Sequence, residues 1–154
     1  MLYSSTQLID PVRWANQGVA IKGGYSLATL DRLVPLLHTS EGEVTFALSF
    51  ECNEEGRRVV RGQIAAKLVL LCQRCLAPMI FSVDRVVSLC VAEDLAAVDR
   101  LPNTCEPLLL EKGLVSVHTL VEDELILDLP VVALHDLTQC PAQTLIERYG
   151  CVQD

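Results

Sequence analysis

Leu68-Val-Leu-Leu-Cys72-Gln-Arg-Cys75-Leu-Ala-Pro78-Met-Ile-Phe81 is the stretch on which the reading of this chain turns. A run rich in Val and Leu, a short interruption ending at Pro78, and a second β-prone run predict a hairpin. Its tip carries a Cys-x-x-Cys pair, Cys72 and Cys75, with Arg74 between the thiols. Two thiols one turn apart can share a tetrahedral metal ion, run redox chemistry, or lie under the turn as small apolar groups.

The β signal extends on both sides of the hairpin. In Glu43–Cys52, Val44, Phe46, Leu48, Phe50 and Cys52 alternate with Thr45, Ala47, Ser49 and Glu51, the pattern of a half-buried strand. Asn53-Glu-Glu-Gly56 is a turn. From Val60 to Cys72 one face holds Val60, Gly62, Ile64, Ala66, Leu68 and Leu70, and the other holds Arg61, Gln63, Ala65, Lys67, Val69 and Leu71. From Met79 to Val91, Phe81, Val83, Arg85, Val87 and Leu89 share one face. Three consecutive strands with short links predict an antiparallel meander, either open or curled toward a barrel.

Two helices are expected to cover it. Ser26–His38 has an N-cap residue and Leu27, Leu30, Leu33, Val34 and Leu37 at helical spacing, with Pro35 kinking the helix or ending it near Leu33. The second helix starts at Ser116 or Thr119, where Thr119-Leu-Val-Glu122 fits a capping box. It buries Val117, Leu120, Val121, Leu125 and Leu129, and ends at Pro130. Asp10-Pro11 reads as a turn and Gly18–Tyr25 as a further strand. Residues 93–107 read as a mobile connection or a short helix in a loop, and Leu108–Val117 as a short strand broken at Glu111-Lys-Gly113. An extended segment after Pro130 carries His135, Asp136 and Cys140. The expectation is one α+β domain over 1–154: a β-meander core, two covering helices and an extended C-terminal segment.

Composition agrees with a folded chain. Of 154 residues, 51% are hydrophobic and 21% charged. No signal peptide and no apolar run near the ~20 residues of a membrane span is visible, so a cytoplasmic location without membrane contact is expected. Seven cysteines, an odd number in that compartment, argue against a disulfide framework. The net charge of −8 hides a polarity. From Arg57 to Arg85 the basic residues Arg57, Arg58, Arg61, Lys67, Arg74 and Arg85 face Asp84 alone, whereas from Glu93 onward twelve acidic residues face three basic ones. Such asymmetry can steer a polyanion to one face, or it can decorate a wet sheet surface that pairs with the acidic third.

Cys72-Gln-Arg-Cys75-Leu-Ala-Pro, together with Val121-Glu-Asp-Glu-Leu-Ile-Leu-Asp-Leu-Pro-Val-Val-Ala-Leu-His-Asp136, resembles the YceD family, the large ribosomal RNA subunit accumulation proteins of bacteria and plastids. The Leu-Ile-Asp10-Pro11-Val-Arg13 segment resembles the proteobacterial branch. The resemblance covers nearly the whole chain and implies a role in accumulation of large-subunit (23S) ribosomal RNA, through precursor binding, processing or early assembly. Family genes commonly lie beside one for a large-subunit ribosomal protein. The Asn-Pro-Phe-Ala-like segment and basic tail usual in the family are replaced here by Ile146–Asp154. If that tail adds RNA affinity, this protein is expected either to lack that contribution or to supply it through the Arg57–Arg85 surface.

Four readings of the cysteines stand. Structural zinc would join Cys72 and Cys75 to Cys140 and His135, with Asp136 as another ligand or as a partner of His135. Redox chemistry requires a pair that opens a helix, which a Leu-Ala-Pro turn into a strand does not provide. Reduced thiols could pack at the hairpin base, or the site could be vestigial in this branch. Glu122, Asp123 and Glu124 could hold magnesium in a nuclease, but capping and the helix dipole explain helix-start carboxylates more cheaply. If Glu124 faces the buried stripe, it needs a cation such as Arg85 or Arg61. Trp14 is expected to plug the core. The function expected is a non-catalytic one: binding of precursor ribosomal RNA by the basic middle strands. The alternative is an adaptor whose acidic third docks a basic large-subunit ribosomal protein without touching RNA.

Overall fold

The structure is a computed structural model that describes residues 7–135 and Cys140. In chain order it contains β1 (Leu8–Ile9), α1 (Pro11–Gln17), β2 (Ala20–Ser26), β3 (Glu43–Cys52), β4 (Arg58–Leu71), β5 (Pro78–Ala92), α2 (Leu95–Arg100), β6 (Glu106–Leu109), β7 (Val115–Ser116) and α3 (Val117–Asp128). Five strands form one open sheet in the order β2-β3-β4-β5-β6, and β1 pairs with β7 in a separate two-stranded ribbon. The meander β2 to β5 is antiparallel and β6 joins β5 in parallel, so the fold is α+β and the sheet does not close into a barrel.

The alternation in sequence sets the two faces of the sheet. Val44, Phe46, Leu48 and Phe50 of β3, Val60, Ile64, Ala66 and Leu68 of β4, and Val83, Val87 and Leu89 of β5 are buried together. Val117, Leu120, Val121 and Leu125 of α3 cover them, as does the Leu-rich segment after β2. Trp14 of α1 packs edge-on to Phe50 with ring centroids 5.2 Å apart. Gly62 is required where β3 and β4 approach closely: a Cβ there would lie 1.9 Å from the Ala47 carbonyl oxygen.

Two local expectations change, and a third resolves between its alternatives. Ser26–His38 is not an α-helix but two 3-10 turns, Leu27–Thr29 and Val34–Leu36. Leu27, Leu30 and Leu33 recur every third residue, which suits turns of three residues as well as a helix face, and Pro35 supplies no N–H. All three leucines are buried, so the apolar pattern reported burial correctly and the period incorrectly. Asp10-Pro11 is a helix start: Arg13 N donates to Asp10 Oδ1 at 3.1 Å, with Pro11 in the first turn of α1. Within 93–107, of the two readings the short helix is the one that forms: α2 has Asp94 as its N-cap, accepting from Ala97 N at 2.7 Å.

Candidate metal centre

The β4–β5 hairpin turns at Cys72–Ala77 through a tight backbone knuckle. Leu76 N donates to the Cys72 carbonyl at 2.8 Å and Cys72 N to the Ala77 carbonyl at 3.0 Å. Leu76 adopts φ +60°, a left-handed conformation that costs a non-glycine residue about 1–2 kcal/mol. The chain after α3 is fastened onto this tip, since Gln73 N donates to the Ala133 carbonyl at 2.8 Å. That contact brings His135 and Cys140 over the two cysteines.

Cys72, Cys75, His135 and Cys140 form one cluster whose ligand atoms all lie within 4.8 Å of one another. Cys72 Sγ is 3.9 Å from Cys140 Sγ, and Cys75 Sγ is 3.4 Å from His135 Nδ1. A tetrahedral zinc with bonds of about 2.3 Å to sulfur spaces its ligand atoms roughly 3.5–4 Å apart. The His135 ring presents Nδ1 to the thiols while Nε2 lies 3.3 Å from the Pro78 carbonyl, the outward hydrogen bond that orients a metal-ligating imidazole. Cys72 and Cys140 are buried and Cys75 and His135 half-buried. The four residues can hold a metal ion and fit a closed Cys3His site. Asp136 lies outside the described residues.

The cluster is already polarised. Burial pushes the Cys72 thiol up, but the N–H groups of Cys75, His135 and Arg74, with the Cys75 side chain, outweigh it and bring the pKa down to about 5. The Cys75 thiol is pushed up, first by burial and, after the opposing pull of the Ala77 N–H, by its neighbours Cys72 and Cys140. His135 is raised, chiefly by Cys72 and, after the opposing effect of burial, by Cys140. Backbone N–H groups aimed at one sulfur favour its thiolate, the form that binds metal. The pair does not open a helix, so the geometry expected of a dithiol redox motif is not present at this turn.

The six candidate phosphate contacts separate into two groups. Arg57 pairs with Glu55, Arg58 Nε donates to Asn16 Oδ1 at 3.3 Å, and Arg61 Nη1 donates to Glu51 Oε1 at 3.3 Å. Lys67 stands exposed on the same solvent face as Arg61. Arg74 and Arg85 turn inward. Arg85 occupies a core-facing position between Val83 and Val87, where Nε donates to Glu124 Oε2 at 2.6 Å and Nη1 to Asp128 Oδ1 at 3.4 Å.

The acidic motif on α3 is structural in its contacts. Ser116 caps the helix, accepting from Thr119 N at 3.3 Å, so Glu122, Asp123 and Glu124 lie beyond its first turn and the dipole account does not apply. Glu122 accepts from Arg32 N at 2.8 Å, Arg32 Nε at 3.0 Å and Leu33 N at 3.4 Å. Asp123 Oδ1 accepts from Arg32 Nη2 at 2.5 Å. Arg32 was not singled out by sequence reasoning. Its only sequence signal is a lone cation amid three buried leucines.

An α+β sheet whose central hairpin ends in a cysteine–histidine knuckle, braced by an acidic helix, defines the class of domain. Residues 60–154 match the family model described as large ribosomal RNA subunit accumulation protein YceD, and the chain belongs to that family. A curated relative, the large ribosomal RNA subunit accumulation protein YceD of Haemophilus influenzae, is 26% identical over 147 residues, covering 95% of this chain and 84% of the relative. No solved structure matches the chain. No helix among the described residues is long and apolar enough to cross a membrane.

Proposed function

We propose that this protein is a non-catalytic factor in large-subunit ribosomal RNA accumulation that binds precursor RNA by its phosphates, with a structural zinc ion at Cys72, Cys75, His135 and Cys140. Family membership supports the process. The observation that carries the RNA reading is a niche of about 290 Å3 lined by Arg57, Arg58 and Arg100 at the β3–β4 turn. Arg61 and Lys67 continue the positive surface along the solvent face of β4, six residues or roughly 20 Å apart. Glu93 and Asp94 share the niche and Glu55 and Glu51 hold two of the arginines, so a phosphate must displace carboxylates already in place. Binding of this kind is modest and steeply salt-dependent.

Filter binding of precursor 23S ribosomal RNA across a salt series tests the reading. Affinity is expected to fall linearly with salt on logarithmic axes. The triple variant Arg57→Ala, Arg58→Ala, Arg61→Ala is expected to reduce the slope by about 2–3. No binding at low salt, or a slope unchanged in the triple variant, would overturn it. The adaptor reading would then stand, but it has fewer free charges than the sequence indicates, because Glu122, Glu124, Asp123 and Asp128 are engaged by Arg32 and Arg85.

A further inference from the structure

We propose that Arg74 is the charge-compensating and ligand-positioning residue of the Cys3His centre, set between the two knuckle cysteines to neutralise the loaded site rather than to bind phosphate. The inference rests on the zinc reading above. Three thiolates, one neutral imidazole and Zn2+ sum to one net negative charge. Cys72 is fully buried and Cys140 is 5% exposed, so at two of the three thiolates this charge would lie where water solvates it poorly. A buried net charge is tolerated only when a counter-charge with good hydrogen-bond geometry is at hand.

Arg74 supplies both. Its Nε donates to Cys140 Sγ at 3.3 Å and its Nη2 to the His135 carbonyl at 2.8 Å. One planar guanidinium therefore grips a ligand sulfur and the backbone of a second ligand. Both ligands come from the segment beyond α3, more than sixty positions away in sequence. Cys72 and Cys75 are placed by the local knuckle, whereas Cys140 and His135 reach the site from a distance and are held there by Arg74, by Gln73 N on Ala133, and by the 3.5 Å contact of His135 N with Cys72 Sγ. The arginine brings the two halves of the site together and removes the charge that their union creates. Lysine would keep the charge and lose the two-point grip, since an ammonium is a point donor and a guanidinium a rigid fork.

Zinc affinity, measured by competition with a chromophoric chelator, tests this in the full chain alongside the absorption spectrum of the cobalt-loaded protein. Arg74→Ala is expected to bind zinc about 10–100-fold more weakly than the native protein, the range found when a partner of a metal ligand is removed. Arg74→Lys is expected to recover part of that loss. Cobalt bound to Arg74→Ala is expected to lose about one third of its thiolate charge-transfer intensity, as Cys140 drops out of a three-thiolate set. Equal zinc affinity and an unchanged cobalt spectrum in Arg74→Ala would overturn the proposal. So would a lysine variant as weak as the alanine one, because charge would then not matter. Failure of the native protein to bind either metal would instead bring down the zinc reading itself, a separate and visible outcome. Should Arg74→Ala fold poorly, the lysine variant and Arg74→Met, which keeps side-chain bulk without charge, decide the same question.

Discussion

The knuckle at the hairpin tip and the carboxylates of α3 are two buried polar clusters among the described residues, and they differ in what their polar atoms face. On α3, Glu122 and Asp123 meet Arg32, and Glu124 and Asp128 meet Arg85, so each carboxylate has a cation or backbone N–H opposite it. At the knuckle, three sulfurs and an imidazole nitrogen face one another. These atoms hydrogen-bond one another, Cys72 to Cys140 and Cys75 to His135, and all four are also of the types that bind a metal ion. Buried polar groups paired within the chain hold a fold together, whereas buried polar groups converging on a point are arranged for a ligand. By that criterion the acidic motif is a brace for α3 and the cysteine set is the candidate metal site.

The largest effect that could break this comparison comes from Glu124. Arg85 is 22% exposed in its side chain and Glu124 5%, so Glu124→Ala leaves a mostly buried guanidinium with weaker partners. Removing one member of a buried pair costs about 3–5 kcal/mol. The lower end is expected here, because Asp128 and Glu106 remain within reach of Arg85. Urea denaturation measures it. A variant of unchanged stability that nonetheless loses ribosomal RNA accumulation would make the acidic motif a functional site and reverse the assignment.

A smaller shift is expected at the knuckle. A ligand present at a hundred times its Kd stabilises the folded state by about 2.7 kcal/mol. Stripping zinc with a chelator should lower the urea midpoint by a corresponding amount, and Cys72→Ser should abolish that dependence. The sheet should survive, because its core of Val44, Phe46, Ile64, Leu68 and Val87 is built without the knuckle. Far-UV circular dichroism retained after chelation, with the 133–135 segment newly open to protease, is the expected result. Global unfolding on chelation would mean that the two regions are not separable.

Much of this is legible in the amino-acid sequence. Strict alternation predicts β3, β4 and β5 to within about two residues at each end, because a long strand with one wet face leaves no other periodicity. The same alternation puts Arg85 on the core side, and so makes Glu124 its natural partner. Cys72, Cys75, His135 and Cys140 can be named as candidate ligands from residue type and spacing, although spacing alone cannot say that the segment after α3 folds back onto the hairpin. Two features were hidden for physical reasons. Leucines three apart satisfy a 3-10 turn and an α-helix alike, so spacing alone does not distinguish the two in the segment after β2. Arg32 is an ordinary cation in sequence and acquires its role only when Glu122 arrives from ninety residues away.

The finest test of the comparison uses backbone strain. Leu76 at φ +60° and Lys112 at φ +52° are the two non-glycine residues with positive φ among the described residues, one in the knuckle and one in the turn before β7. Glycine at either site removes a steric cost of about 1–2 kcal/mol and adds back about 0.5–1 kcal/mol through the freer unfolded chain. Leu76 is 69% exposed, so little packing is lost with its side chain. Leu76→Gly and Lys112→Gly are therefore both expected to stabilise by about 0.5–1 kcal/mol in urea. Their effects on metal should diverge. The Leu76 conformation closes the turn that aims the Arg74 and Cys75 N–H groups at Cys72, so loosening it should weaken zinc binding a few-fold, while Lys112→Gly leaves affinity unchanged. Equal zinc affinities in the two variants would show that the strained leucine serves the turn alone, and that the knuckle holds its shape without it.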